Sequence, residues 1–203
     1  GMWDHINFSI YELFLYTVTV LRYHEKHTLL CELLHANFFG LIRYYDKKYS
    51  DFIGFNKHLP SLEVRKSVLK LNRISLHADL IVERAEKTKF KASLIIKNDL
   101  YLAYYSEIKN SYDTIGFWFP RLYIYESMYR FEDLFERMIS KRYLSKFLIE
   151  LGMRDKDELG LALDKYKEDL EFSGNRSRGY SQAYTSVPLL TNVLKFESLG
   201  TID

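Results

Sequence analysis

The spacing of apolar side chains along this 203-residue chain predicts helices almost throughout. Ser9 with Glu12 three positions on has the form of a capping box, and Phe8 and Leu13 sit where a hydrophobic staple would. Between positions 10 and 21 apolar residues occupy nearly every face, so this first helix should be largely buried or shared with another chain. A second helix is predicted over 28–39, with Leu29, Leu30, Leu33, Leu34 and Phe38 as its stripe and Gly40 as its breaking point. Positions 46–59 read as a loop, with a short helix as the alternative, ending at Pro60. A third helix runs from Ser61 to about Glu86, on Leu62, Val68, Leu69, Leu71, Ile74, Ala78, Ile81 and Ala85, and a fourth covers 92–109.

After a loop at 111–116, the stretch 117–125 is aromatic and β-branched around Pro120, and reads either as a short extended segment or as a helix starting at the proline. Helical spacing returns over 131–151 and closes on Gly152. Asp155 with Glu158 is a second capping box before an amphipathic helix. Three prolines and nine glycines leave these runs uninterrupted. The expected fold is therefore all-α, a bundle of about six to eight helices with one short extended segment near 117–125. A bundle domain over 2–172 is expected to be followed by a polar linker and a short docking segment over 173–203.

Composition changes this picture in one respect. The chain carries 17 Tyr, 14 Phe and 2 Trp, enough to give a heavy aromatic core, a sticky surface, or both. The single cysteine, Cys31, cannot form an internal disulfide, which points to a reducing compartment, and a cytoplasmic location is expected. The first apolar run is too short to span a bilayer, and no membrane is expected among the partners. Net charge is +2, but positions 41–91 hold 12 Lys/Arg against 6 Asp/Glu, so the middle of the chain is the part that could face an anionic partner.

Candidate chemistry is sparse. His24, His27, Cys31 and His35 fall at spacings of three and four on one helix face, but they span roughly 16 Å of helix and cannot meet one ion. No metal site and no cofactor are therefore expected. Arg22 and His27, with four residues between them, resemble the signature of the HEPN-type ribonucleases, small helical bundles of bacterial toxin and defence systems. The resemblance implies metal-independent RNA cleavage at a dimer interface, with Arg22 stabilising the phosphate and His27 acting as general acid or base. Arg73, His77 and Arg84 share a face of the third predicted helix and form a candidate binding cluster. Nucleic acid is a second partner class. Arg176, Arg178, Tyr180 and Tyr184, with Arg137, Lys141, Arg142, Tyr143 and Lys146, combine positive charge with stacking faces. No phosphate-binding glycine loop and no nucleophile elbow is present.

The expected function is a helical protein-interaction or regulatory module without an evident catalytic site, with a place in a larger bacterial signalling or defence protein as one option. Its partner would be another protein or a second copy, met through Phe14, Tyr16, Leu189, Leu190 and Phe196. A HEPN-like ribonuclease using Arg22 and His27 is the alternative.

Overall fold

The computed structural model describes residues 1, 3–39, 49–109, 117–128, 134–173 and 187–203. Among them are eight α-helices: α1 (Asp4–Tyr23), α2 (His27–His35), α3 (Pro60–Val68), α4 (Leu76–Ala85), α5 (Ala92–Lys109), α6 (Lys141–Leu151), α7 (Lys156–Ser173) and α8 (Leu190–Val193). Two two-residue strands, β1 (Phe38–Phe39) and β2 (Tyr49–Ser50), pair antiparallel. The fold is mainly all-α, as the periodicity predicts.

The centre of the molecule is α5. Almost every residue from Ile95 to Ile108 is buried, whether apolar or polar. The helix therefore has no solvent face and must be surrounded. It packs against α1, α4, α7 and the 3-10 segment Arg121–Met128. On one side Tyr11 stacks on Trp118 at 5.2 Å, and Phe14 meets Phe38, Phe52, Phe55 and Trp118. On the other, Tyr101, Tyr104, Phe135 and Phe147 form a second aromatic group. The aromatic excess thus builds a core of stacked, tilted and edge-on ring pairs.

Several boundaries differ from the sequence expectation, each for a local reason. The first helix starts at Asp4 and not at Ser9, so the Ser9–Glu12 capping box does not form. Ser9 Oγ donates instead to the His5 carbonyl, and Glu12 reaches across to Arg84 at 2.7 Å. The second helix stops at His35, because Ala36 is extended and Phe38 enters the hairpin. The single helix expected over 61–86 is two. Lys70 adopts φ +49°, with Leu71 N–H donating to the Lys66 carbonyl and Lys70 N–H to the Ser67 carbonyl, a Schellman closure of α3. Ser75 then caps α4, its Oγ accepting from Ala78 N–H at 3.2 Å. Within 117–125, residues 117–120 are irregular and Pro120 precedes the 3-10 segment.

The helix expected over 131–151 is regular only from Lys141, after a 3-10 turn at Glu136–Ile139; positions 131–133 lie outside the described residues. Gly152 ends it at φ +64°, where a side chain would press on His35. Asp155 Oδ1 accepts from Glu158 N–H at 2.9 Å, and Glu158 accepts from Arg154 N–H rather than from the cap residue. The polar stretch 174–186 lies outside the described residues. The end of the chain returns to the body: Leu190, Leu194 and Leu199 are buried, and Ile202 bridges to Ser140 beside the start of α6. No helix among the described residues is long and apolar enough to cross a membrane.

Candidate functional site

Four helices each send a polar side chain to one place. Glu150 comes from α6, where Leu144, Phe147, Leu148 and Leu151 are also buried, so the carboxylate is carried inward with the apolar face and is only 3% exposed. His27 opens α2, and its Nδ1 lies 2.7 Å from Glu150 Oε1. Tyr101 of α5 donates its hydroxyl to Oε2 at 2.7 Å. Arg22, in the last turn of α1, places Nε 3.8 Å from the same oxygen. Its guanidinium lies over the Tyr101 ring at 3.8 Å and donates to Asn98 Oδ1 at 2.7 Å. Asn98 in turn donates to Thr19 Oγ1 and to the Leu94 carbonyl.

The two residues of the HEPN-like spacing, Arg22 and His27, thus meet at one carboxylate from a distant part of the chain. Burial works against ionising Glu150, but the Arg22 charge and the hydrogen bonds from His27 and Tyr101 outweigh it. The carboxyl sits below its ordinary range. Tyr101 is pushed well above the usual phenol range, by burial first and then by the Glu150 charge, so it stays a donor. His27 Nε2 is buried and meets no hydrogen-bond partner among the described residues. An arginine, an imidazole, a carboxylate and a phenol in one cluster could move a proton or bind an anion. Here, however, the imidazole spends Nδ1 on the carboxylate and keeps Nε2 out of water.

A second buried carboxylate, Asp99, lies one residue along α5 and is fully buried. It accepts from Tyr11 Oη and Trp118 Nε1, each at 2.7 Å, and from Leu122 N–H at 2.8 Å. Burial pushes it up to about 6 despite those three donors. Three donors converging on one carboxylate leave it little capacity for a substrate, so Asp99 ties α1 and the 117–122 segment to α5.

Of the residues singled out as a binding cluster, His77 and Arg84 both meet the Phe8 ring, and each of the three is engaged by other residues of the chain. The break between α3 and α4 separates Arg73 from His77. Arg73 is exposed and pairs with Asp79 at 3.4 Å; Arg84 pairs with Glu12 and lies over the Phe8 ring at 5.0 Å. His77 is buried against the Phe8 and Tyr11 rings, with neither ring nitrogen hydrogen-bonded among the described residues. Of the histidine–cysteine face, His24 is exposed, His27 serves Glu150, and His35 Nδ1 lies 2.8 Å from the Cys31 carbonyl and 3.5 Å from its sulfur. Burial raises the Cys31 thiol, so it is held protonated rather than as a nucleophile. Among the described residues no group of three or more His, Cys, Asp or Glu is placed to hold a metal ion.

The residues named as docking surface are placed largely inside the chain's own packing. Phe14 and Leu190 are buried, while Tyr16, Leu189 and Phe196 are half-buried, Phe196 under the Lys156 ammonium. The apolar residues that α1 does expose are others: Trp3, just before the helix, then Ile6, Ile10, Leu13 (69% exposed), Val20 and Tyr23. Positions 3, 6, 10, 13, 17, 20 and 24 alternate steps of three and four, the heptad seam of a helix pair. Asp4, Glu12 and Arg22 are the only Asp, Glu, Lys or Arg on α1, and each is bonded within the chain. The outer seam therefore carries none of them. No protein-family model, no curated protein and no solved structure matches this chain.

Proposed function

We propose that the protein is a helical interaction module that pairs with a second copy of itself through the outer seam of α1. The observation that carries this reading is the uncharged, heptad-spaced stripe from Trp3 to Val20, left in water by a helix of 20 residues. A solvent face of that length ordinarily carries charge. One without it exposes on the order of 500 Å² of apolar side chain, at the upper end for a monomer. Two such seams meeting about a two-fold axis would bury about 1,000 Å², the lower limit for a specific interface. A neutral stripe favours a copy of itself because the two-fold pairing brings no like charges together. Sedimentation of the full chain should show a concentration-dependent dimer. Leu13→Glu with Ile10→Glu should give a monomer of unchanged helicity, and a wild-type chain that stays monomeric at high micromolar concentration refutes the proposal.

A second reading, a HEPN-like ribonuclease, draws on the meeting of Arg22 and His27 at Glu150. It ranks lower because Arg22 lies two positions from both Val20 and His24, on the opposite side of α1 from the seam. A dimer through the seam would keep the two Arg22–His27 pairs apart, whereas that family's resemblance implies a site at the dimer interface. RNA cleavage that His27→Ala abolishes without unfolding the chain would reverse the ranking.

A further inference from the structure

From α3 and the turn that follows it, we infer a docking surface for anionic phospholipid, separate from the α1 seam. α3 has no fully buried residue, an unusual state for a helix in a packed bundle. It is held at its first turn, where Leu59 is buried, Leu62 packs on the core and Ser61 N–H donates to Asp4 at 2.7 Å. The rest projects. Val64, Val68 (73% exposed), Leu69, Leu71 and Ile74 stand in water within eleven residues of one another.

Basic residues are interleaved with them: Arg65, Lys66, Lys70 and Arg73, with Lys57 just before the helix. The acids nearest them are Glu63, bonded to Lys66 at 2.6 Å, and Asp79, paired with Arg73 at 3.4 Å, so the cationic character rests mainly on Lys57, Arg65 and Lys70. Aliphatic side chains flanked by exposed cations match the two layers of an anionic bilayer surface, acyl chains below and phosphates above. The pattern fits nucleic acid less well. In a chain with 33 aromatic residues, positions 59–76 contain none, so no aromatic ring there offers a stacking platform for a base. The segment is a helix face and not a cleft, so it cannot itself be the groove that receives a partner's helix.

Lys70 sharpens the inference. It occupies a left-handed position, φ +49°, that glycine fills at least cost, so a cation stands where the backbone gives no reason for one.

The test is flotation of the full chain with vesicles of phosphatidylcholine alone or mixed with phosphatidylserine. Binding is expected only to the mixed vesicles, and high salt should abolish it. Lys70→Gly suits the backbone and should leave folding intact, yet it should weaken partitioning about five-fold, the share of one cation near a charged surface. Val68→Asp should weaken it further. Absence of partitioning, equal partitioning into neutral vesicles, or wild-type binding by both variants overturns the assignment. So does retention of the chain by polyglutamate with no vesicle binding, which would place an acidic protein there instead. The α1 seam is untouched by these variants, so the dimer proposal stands or falls separately.

Discussion

Glu150→Ala should be among the most destabilising single substitutions in this protein. The carboxylate is nearly inaccessible and joins α6 to α1, α2 and α5 through Arg22, His27 and Tyr101. Removing it leaves three groups without their partner at once. The Arg22 guanidinium, 20% exposed, loses its counter-ion; the Tyr101 hydroxyl is buried without its acceptor; and His27 Nδ1 loses its bond to the carboxylate. Breaking a buried ion pair from one side costs roughly 3–5 kcal/mol. The stranded hydroxyl alone is worth about 1–3 kcal/mol, partly contained in that figure.

Urea unfolding followed by circular dichroism measures the effect. With a slope of about 2 kcal/mol per molar, the midpoint should fall by roughly 2 M with the slope unchanged. Glu150→Gln should cost clearly less, because an amide keeps an acceptor for Tyr101. Arg22→Met combined with Glu150→Leu should cost less than the sum of the two single changes, since the pair leaves no stranded charge between its members. A loss below about 1 kcal/mol for Glu150→Ala would refute the reasoning, because a carboxylate so buried and so bonded cannot be neutral to remove on these magnitudes. The pH dependence has a definite sign. Glu150 ionises more readily in the folded chain than in the unfolded one, so its contribution is complete above the ordinary glutamate range. It drains away as pH falls through the lowered folded value. Glu150→Gln should flatten that part of the acid limb.

Other outcomes follow from the same structure. His77 is held neutral down to about 3, by burial first and then by the Arg121 and His58 charges, while an unfolded histidine takes its proton near 6.5. Acid therefore removes stability from pH 6.5 downward, and His77→Phe, which suits the Phe8 and Tyr11 rings, should flatten that loss and raise stability by about 1 kcal/mol. Asp99 has the opposite sign: with its folded value raised to about 6, its contribution declines as pH rises from about 4 to 6. Tyr11→Phe removes one of its three donors and should cost about 1–2 kcal/mol in thermal or urea unfolding. Gly152→Ala should cost about 1–2 kcal/mol, because φ is +64° and the new methyl lies 3.2 Å from His35 Cε1.

The all-helical fold was legible because its signal is redundant. α5 could be bounded at both ends from the sequence, since its apolar spacing runs from Ala92 to Lys109. Ends set by a single residue's φ were legible only when glycine marked them. Gly152 closed α6 as expected, whereas the same left-handed closure at Lys70 carries no glycine, so one helix was read where there are two. Glu25, at φ +52°, hides the end of α1 in the same way. The Ser9–Glu12 box was a correct local pattern overruled by tertiary contacts. Glu12 is bonded to Arg84 and Asp4 to Ser61, and both fix α1 further upstream.

The candidate site divides along a similar line. Arg22 and His27 are near neighbours in sequence, so their association could be read from spacing; Glu150 lies 123 positions from His27, and spacing says nothing about it. A usable sign was present nonetheless. Asn98 and Asp99 interrupt the apolar run of α5, and Glu150 stands between Ile149 and Leu151. A charge inside an otherwise apolar stretch is either a break in the helix or a partnered buried group, and intact helices leave only the second.

The same reasoning, applied to the surface, decides where function should be sought. Inside, the buried carboxylates Glu150 and Asp99 each have at least three polar neighbours, and each joins α5 to other parts of the chain. Such groups hold a bundle in register and have little capacity left for a ligand. Outside, the anomalies run the other way: a seam on α1 without charge, and a projecting α3 whose aliphatic residues are exposed among cations. Apolar area left in water lowers solubility and gains the monomer nothing, so on the proposals above these two helices are where partners would sit. Because one surface is neutral and the other cationic, they call for different partners. A change of salt concentration should accordingly weaken the α3 contact while leaving the α1 contact nearly unchanged.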